Sequence, residues 1–349
     1  MSRLSKRGEQ VRQFILSNVA DHPNDIVALV SQEFGVSRQA INRHLQKLTK
    51  QKAIVAEGST RNRSYSLGPL AKWHKLYELS DGLEEDVVWT SDIKPLVSEF
   101  PDNVRDIWSY GITEMLNNAI DHSGGAKVLI EVEKTAAFTR ALVYDDGEGI
   151  FKKIKRELNL NDERHSVLEL AKGKLTTDPS RQTGEGIFFA SRMFDAFAII
   201  SGDVFFSHQF DKVEDWIGQI PYESLGVEKN GKGTLVSMQL DNNTSRSQKR
   251  IFDNFSSEED YSFSKTVVPV RLAQYGDEKL ISRSQAKRLL SGIDKFKIVV
   301  FDFFDVNSIG QAFADEVFRV FKNQNPDIEV FSINASQDVE KMIDRAESH

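Results

Sequence analysis

The chain has 349 residues, of which 40% are hydrophobic, which is enough for ordinary globular cores and predicts two or three domains. It contains no cysteine, which excludes disulfides, thiolate nucleophiles and cysteine-ligated zinc sites. No apolar run approaches the roughly 20 residues that span a bilayer, and the first ten residues lack the apolar core of a signal peptide. These features predict a soluble, cytoplasmic protein with no membrane partner.

The formal net charge of -7 is spread unevenly along the chain. Residues 1–68 hold 11 Lys and Arg against 5 Asp and Glu, whereas the remainder holds 34 against 47. A basic head on an acidic body indicates that the head binds a polyanion. We place the head at residues 1–68, a body at 69–240, a polar linker at 241–260 and a tail at 261–349.

Apolar residues in the head recur with helical spacing in three segments. The first covers residues 5–19, the second ends at Gly35, and the third begins at Ser37, which we predict to be its N-cap. A short hairpin with a basic tip follows. This order, together with the segment SRQAINRHLQKLTKQKAIVAEG, resembles the winged helix-turn-helix domains of many bacterial transcription regulators.

In such a domain the third helix enters the major groove with its N-terminal residues toward the base edges. Gln and Asn can pair with adenine and Arg with guanine, and arginines on the hairpin can contact phosphate. The predicted DNA-binding residues are Ser37, Arg38, Gln39, Asn42 and Arg43 of the third helix, with Arg61 and Arg63 of the hairpin. A winged helix that contacts only proteins is the alternative, which the positive charge of the head disfavours.

The body mixes helices and strands. We predict helices over residues 104–122 and 187–196, and strands over 127–134, 139–145, 197–201, 204–210 and 233–240. Residues 70–103 show no clear pattern. The polar stretch 151–183 is predicted to be partly helical and mobile.

Several polar residues and glycines of the body lie on one helix face or at the ends of predicted strands and helices, where they can contact a ligand. Glu114 and Asn118 lie four residues apart and share a helix face, where a carboxylate can deprotonate water and an amide oxygen can bind Mg²⁺. Asp145 ends a strand, where it can accept a hydrogen bond from the amino group of a base. Two pairs of glycines allow close approach of the backbone to a ligand; these are Gly147 and Gly149, and Gly184 and Gly186. The last strand begins with Thr234.

The order and spacing of these pieces, over about residues 100–240, resemble the nucleotide-binding boxes of the GHKL ATPase superfamily, which includes gyrase, histidine kinases, MutL and anti-sigma-factor kinases. The resemblance implies a two-layer α/β sandwich that binds ATP and Mg²⁺. By position, it implies that Glu114 is the general base, Asn118 the Mg²⁺ ligand and Asp145 the residue that recognises adenine. The resemblance also implies that Thr234 supports Asp145 and that Gly147 and Gly149 shape the adenine pocket. It implies that Gly184 and Gly186 contact the phosphates and that residues 151–183 form an ATP lid.

The tail alternates strands and helices, which predicts a small α/β layer with parallel pairing. Residues 282–321 resemble a STAS-like domain. The phenylalanines predicted to be core are Phe301, Phe303, Phe304, Phe313, Phe318 and Phe321. STAS domains of the anti-anti-sigma type accept a phosphoryl group on a Ser at a helix start. That position falls here near Gln311 or Ala312, which have no hydroxyl, whereas Ser308 lies earlier and is predicted only to cap the helix. A structural or regulatory role for the tail is therefore favoured over phosphorylation.

Together these interpretations predict an α/β (α+β) multidomain protein that acts as an ATP- and Mg²⁺-dependent, DNA-binding regulator. The nucleotide would control conformation, oligomeric state or DNA affinity, with slow hydrolysis left open. One alternative is an anti-sigma-type serine/threonine kinase that acts on a STAS-like partner or on its own tail. Another is an ATP-gated scaffold in a stress or phage-defence system. The expected partners are double-stranded DNA, a regulatory protein at the tail and a second copy of the chain in a homodimer.

Overall fold

The computed structural model describes residues 6–59, 62–79, 82–175, 184–209, 212–219, 232–257, 262–274 and 278–348. Arg61 and residues 176–183 of the predicted lid lie outside this part of the chain. Among the described helices, none is both long enough and apolar enough to cross a membrane. The chain divides into two compact units. Unit 1 contains Met1–Lys75, Ile130–Leu142 and Gln239–Thr244, and unit 2 contains Leu76–Leu129, Val143–Met238 and Ser245–His349.

Three helices and a two-stranded hairpin open unit 1. They are α1 (Lys6–Asn18), α2 (Ile26–Phe34), α3 (Arg38–Lys50), β1 (Ile54–Glu57) and β2 (Ser64–Leu67). Helix α2 ends at Gly35, whose left-handed conformation (φ 61°) suits glycine. The hydroxyl of Ser37 accepts the N–H of Ala40 and caps α3, as the sequence predicts. The two strands pair antiparallel.

The apolar faces of these three helices meet in one core. Ile15, Val19, Ile26, Val30 and Ile41 are each 0% exposed, because helical spacing places them on facing sides of α1, α2 and α3. Residues 136–138, which also belong to unit 1, pack against the same core. The core of unit 1 therefore joins parts of the chain that are distant in sequence.

A seven-stranded sheet has the strand order β3-β4-β5-β9-β6-β7-β8. Its strands are β3 (Ala71–Glu78), β4 (Lys127–Lys134), β5 (Phe138–Asp145), β6 (Ala196–Ser201), β7 (Val204–Gln209), β8 (Lys212–Gln219) and β9 (Thr234–Asp241). Buried and less buried residues alternate along β5 and β9, which is the two-residue period on which strand prediction rests. Strand β3 escaped prediction because it is an edge strand whose only buried residue is Tyr77. Strand β8 was also not predicted.

Six further helices belong to unit 2. They are α4 (Glu85–Val88), α5 (Asp102–His122), α6 (Ile150–Glu157), α7 (Glu163–Lys172), α8 (Gly186–Met193) and α9 (Gln248–Phe255). Helix α5 is the longest described helix, and its Trp108 ring meets the Phe194 ring edge-on at 4.9 Å. Gly111 stands one turn after Trp108, in the middle of the helix, because a side chain there would collide with Phe194.

The predicted mobility of residues 151–183 stays a prediction, whereas their partial helicity is confirmed by α6 and, later in the stretch, by α7. The carboxylate of Asp162 accepts the N–H of Arg164 (2.8 Å) and caps this helix. Seven of its ten residues are then buried, including His165 and Lys172. A polar composition is here compatible with burial, because several of these polar groups make contacts inside the protein.

Helix α9 lies within the predicted linker. Its N-cap is Ser247, and its aromatic side chains reach two residues of α8. Phe252 lies 4.5 Å from Phe189, and Phe255 lies 5.1 Å from Phe188, measured between ring centroids. Two aromatic anchors in an otherwise polar segment therefore attach this stretch to unit 2.

The tail contains three parallel strands in the order β10 (Lys265–Pro269), β11 (Ile298–Asp302) and β12 (Glu329–Ile333). Its helices are α10 (Arg283–Leu290), α11 (Gln311–Asp315), α12 (Phe321–Gln324) and α13 (Gln337–Glu347). The alternation of strands and helices and their parallel pairing agree with the sequence interpretation. Phe301, Phe303, Phe313, Phe318 and Phe321 are buried, as predicted, whereas Phe304 is only partly buried. Ser308 does not cap α11, because the N-cap is Gly310.

Lys172 joins the body to the tail within unit 2. It is 1% exposed, and its ammonium group donates to the Glu169 carboxylate (2.8 Å) and to the carbonyls of Arg288 (3.1 Å) and Ser291 (2.8 Å). The hydroxyl of Thr266 in turn donates to the Lys172 carbonyl (2.7 Å). Burial lowers the pKa of Lys172, and the neighbouring Glu169 opposes that shift. These hydrogen bonds offset the free-energy cost of burying the Lys172 ammonium group.

We expect the substitution Lys172→Ala to lower the free energy of unfolding by about 3–5 kcal/mol, because it removes the buried ammonium that pairs with the Glu169 carboxylate, whose side chain is only 12% exposed. The midpoint of urea denaturation, followed by circular dichroism, measures the effect. Lys249→Ala is the matched control, because Lys249 is an exposed lysine on α9 and its removal should leave the midpoint unchanged. Equal midpoints for Lys172→Ala and the wild type would contradict the prediction.

Candidate functional site

A cavity of about 380 Å³ opens beside α5 in unit 2. Its volume falls within the range of small-molecule sites, roughly 300–1,000 Å³. Seven of the eight residues that the sequence assigns to ATP and Mg²⁺ line it, namely Glu114, Asn118, Asp145, Gly149, Gly184, Gly186 and Thr234. The eighth, Gly147, does not line the cavity and packs instead against Ser123, where a side chain would collide with the Ser123 carbonyl.

The loop of residues 145–149 is attached to the end of α5 and to the start of β4. The carboxylate of Asp146 accepts the N–H groups of Ala126 (2.7 Å) and Lys127 (2.9 Å), and these bonds lower the pKa of Asp146. The N–H of Glu148 donates to the Ser123 carbonyl (3.0 Å). Asp146 and Glu148 therefore support the loop, and neither lines the cavity.

Asp145 is a buried acid on the cavity wall, with 7% of its surface exposed. Its Oδ1 accepts the N–H of Gly147 (2.9 Å). Burial raises the pKa of Asp145, and hydrogen bonds from Gly147 and Thr234 oppose the rise. The hydroxyl of Thr234 also accepts the N–H of Ile150 (3.0 Å). The arrangement presents a fixed carboxylate that can accept a hydrogen bond from a ligand.

Glu114 lies against the first residue of α8. A side chain at Gly186 would collide with the Glu114 carboxylate, so only glycine allows this close approach. Burial raises the pKa of Glu114, and the nearby carboxylates of Glu185 and Glu85 raise it further. A carboxylate whose pKa is shifted toward neutrality is suited to accept a proton.

Asn118 contributes a buried amide nitrogen that has no hydrogen-bond partner within the described residues. Since buried polar groups are nearly always paired, this atom is available to a polar group of a ligand. Rotation of the amide by half a turn would present its oxygen instead. Mg²⁺ suits such a site, because it binds one or two protein oxygens and keeps water and phosphate ligands. The described residues hold no cluster of three or more acidic or His side chains that would form an all-protein metal cage.

Sequence reasoning missed two parts of the cavity wall. Lys153 of α6 lines the cavity, and its ammonium group donates to the His122 carbonyl (2.8 Å). Its position four residues after Gly149, on the first turn of the helix that follows, was the available signal. Leu170 and Leu175 bring α7 and its C-terminal extension to the wall. No local pattern marks these leucines, because their placement depends on packing between distant segments.

The predicted DNA-binding residues lie at the start of α3 and on the hairpin of unit 1. Those that are described are all exposed to solvent, and they are Ser37, Arg38, Gln39, Asn42, Arg43 and Arg63. The hydroxyl of Ser37 already accepts a backbone hydrogen bond as the N-cap. The surface presented is therefore mainly amide and guanidinium groups on one helix end.

Comparison with known proteins identifies the tail. A model of the STAS-like domain of unknown function (DUF4325) matches residues 285–340, from α10 to the first turn of α13. No curated protein matches the chain. The C-terminal part of the protein is thus a STAS-like domain, in agreement with the sequence interpretation.

We expect Glu114→Gln to stabilise the ligand-free protein at neutral pH, because it removes a buried charge that Glu185 and Glu85 repel. A carboxyl group whose pKa is raised by folding binds more protons in the folded state than in the unfolded state. Its contribution to stability therefore falls as the pH rises from the unfolded pKa to the folded pKa. The advantage of Glu114→Gln in the thermal unfolding midpoint should therefore grow from about pH 4 toward neutrality. Glu131→Gln, at an exposed position on β4, should show no such trend. An advantage that does not vary with pH would contradict this explanation.

Proposed function

We propose that the cavity of unit 2 binds ATP with Mg²⁺, and that the nucleotide regulates DNA binding by unit 1. The observation that carries the proposal is the convergence on one cavity of the unpartnered Asn118 amide, the Glu114 carboxylate and the close backbone at Gly186. The resemblance to GHKL nucleotide-binding boxes, noted from the sequence, assigns complementary roles to the same residues.

Each residue has a role that its surroundings support. Asp145, held by Gly147 and Thr234, would accept a hydrogen bond from the amino group of adenine. Asn118 would offer its amide oxygen to Mg²⁺, and bound Mg²⁺ supplies positive charge that neutralises the phosphates. Glu114 would orient a water molecule and take its proton, a task suited to a carboxylate with a raised pKa. Hydrolysis is a part of the proposal that can fail while binding holds.

The proposal for DNA rests on charge and exposure in the head. Residues 1–68 carry the excess of basic side chains, and Arg38, Gln39, Asn42 and Arg43 are exposed at the start of α3. Guanidinium and amide groups are the side chains that read guanine and adenine in the major groove. Double-stranded DNA is therefore the partner that this surface suits best.

A kinase that phosphorylates its own tail has less support. Helix α11 starts with Gln311 and Ala312 after the N-cap Gly310, and none of the three carries a hydroxyl. Ser308 is exposed but precedes the helix start. A regulatory role for the STAS-like tail, through a protein partner or a second copy of the chain, agrees better with these residues.

The nucleotide part of the proposal predicts that Asp145→Asn weakens ATP binding by about tenfold or more, because a charged hydrogen-bond acceptor contributes roughly 1.5–3 kcal/mol. Isothermal titration of the full chain with ATP and Mg²⁺ measures the loss. Asp121→Asn changes an exposed acid on the same helix as Glu114 and should leave the affinity unchanged. Equal ATP affinities of Asp145→Asn and the wild type, or no ATP binding by the wild type, would count against the site.

The regulatory part predicts that Mg-ATP changes the affinity for a selected DNA duplex by a factor of about 5–150, the usual range of coupling between two sites. Fluorescence anisotropy at constant salt, with and without Mg-ATP, tests this. Arg43→Ala should weaken DNA binding, whereas Lys249→Ala should not. Identical DNA titrations with and without Mg-ATP would refute the regulation while leaving ATP binding intact.

A further inference from the structure

Lys153 is the only Lys or Arg among the described residues that line the cavity. It lies on the first turn of α6, and its N–H donates to the Gly149 carbonyl (3.0 Å). Its ammonium group donates to the carbonyl of His122, the last residue of α5. Within the described part of the chain, this ammonium forms no ion pair with a carboxylate.

The His122 carbonyl holds the ammonium group in place without neutralising it. The last carbonyls of a helix carry partial negative charge, so a lysine docks there favourably. An ammonium group has three donors, and one of them is used by His122. The remaining donors face no described carboxylate at hydrogen-bond distance, and the positive charge, which also helps to lower the pKa of the exposed Glu157, is available to a ligand at the cavity wall.

The charge of the wall indicates which part of a ligand Lys153 suits. The other charged side chains that line the cavity, Glu114 and Asp145, are both acidic. An adenine ring or a ribose is neutral and gains little from a cation, whereas a phosphate chain brings several negative charges into a site that already holds two carboxylates. Charge-assisted hydrogen bonds from Lys to phosphate are strong.

We propose that Lys153 binds the phosphate groups of the nucleotide and makes the site prefer ATP to adenosine. This inference rests on the proposed ATP site and adds the residue that reads the charge of the ligand. In this assignment, Lys153 bridges the C-terminal end of α5 and the phosphates. Without it, only Mg²⁺ and backbone N–H groups would offset the charge of phosphates in a cavity that already holds two carboxylates.

The test compares ATP and adenosine binding by the full chain and three variants, using isothermal titration with Mg²⁺ present. Lys153→Met removes the charge and keeps most of the length of the side chain, Lys153→Arg keeps the charge, and Lys152→Met removes the charge of the neighbouring exposed lysine. We expect Lys153→Met to weaken ATP binding by about tenfold or more, as for loss of a charge-assisted hydrogen bond. Adenosine binding should be unchanged, Lys153→Arg should restore most of the ATP affinity, and Lys152→Met should match the wild type.

Three outcomes would overturn the proposal. If Lys153→Met binds ATP as the wild type does, Lys153 only caps α5. If Lys153→Met weakens ATP and adenosine binding equally, the lysine shapes the cavity and does not recognise the charge of the phosphates. Thermal unfolding of the ligand-free variants shows whether the fold has changed. A wild type that binds neither ligand overturns the ATP site itself, so the two failures are distinguishable.

Discussion

The attachment of the loop at residues 145–149 to the end of α5 is the constraint on which the candidate site depends. Ser123 is the C-cap of α5, and its carbonyl accepts the Glu148 N–H while Gly147 packs against it. The Asp146 carboxylate accepts the N–H groups of Ala126 and Lys127, where β4 begins. These backbone contacts place the end of β5 beside the helix face that carries Glu114 and Asn118. A side chain at Gly147 would collide with the Ser123 carbonyl, so this close contact requires glycine.

This attachment has an electrostatic consequence. Glu114 and Asp145 are desolvated in one cavity, and burial is the largest cause of the raised pKa of each. Hydrogen bonds from Gly147 and Thr234 compensate Asp145, whereas Glu114 faces the further repulsion of Glu185. The two acids are therefore prepared differently, one as a fixed acceptor and one as a group that can take up a proton.

Local spacing in the sequence predicts most of this site and much less of its surroundings. Glu114 and Asn118 share a face because the helical period is local, and Asp145 ends a strand whose alternation is visible in the sequence. Lys172 looks like a surface residue in the sequence, yet its partners are carbonyls more than a hundred residues away. Phe252 sits among polar residues that suggest a linker, and the rings that receive it come from α8. Contacts of this kind depend on tertiary packing, which no short window of sequence contains.

Helix α7 belongs to the cavity and to the tail interface at the same time. Leu170 lines the cavity, and two residues later the Lys172 ammonium is bonded to carbonyls of the STAS-like tail. Because a helix moves as a rigid element over so short a distance, a displacement of α7 changes the cavity wall and the tail contact together. Separating the tail from α7 would break the two hydrogen bonds that the Lys172 ammonium group donates to tail carbonyls, which is unfavourable. The STAS-like tail therefore contacts, through Lys172, a helix whose Leu170 lines the cavity, although the described lining residues include none from the tail itself.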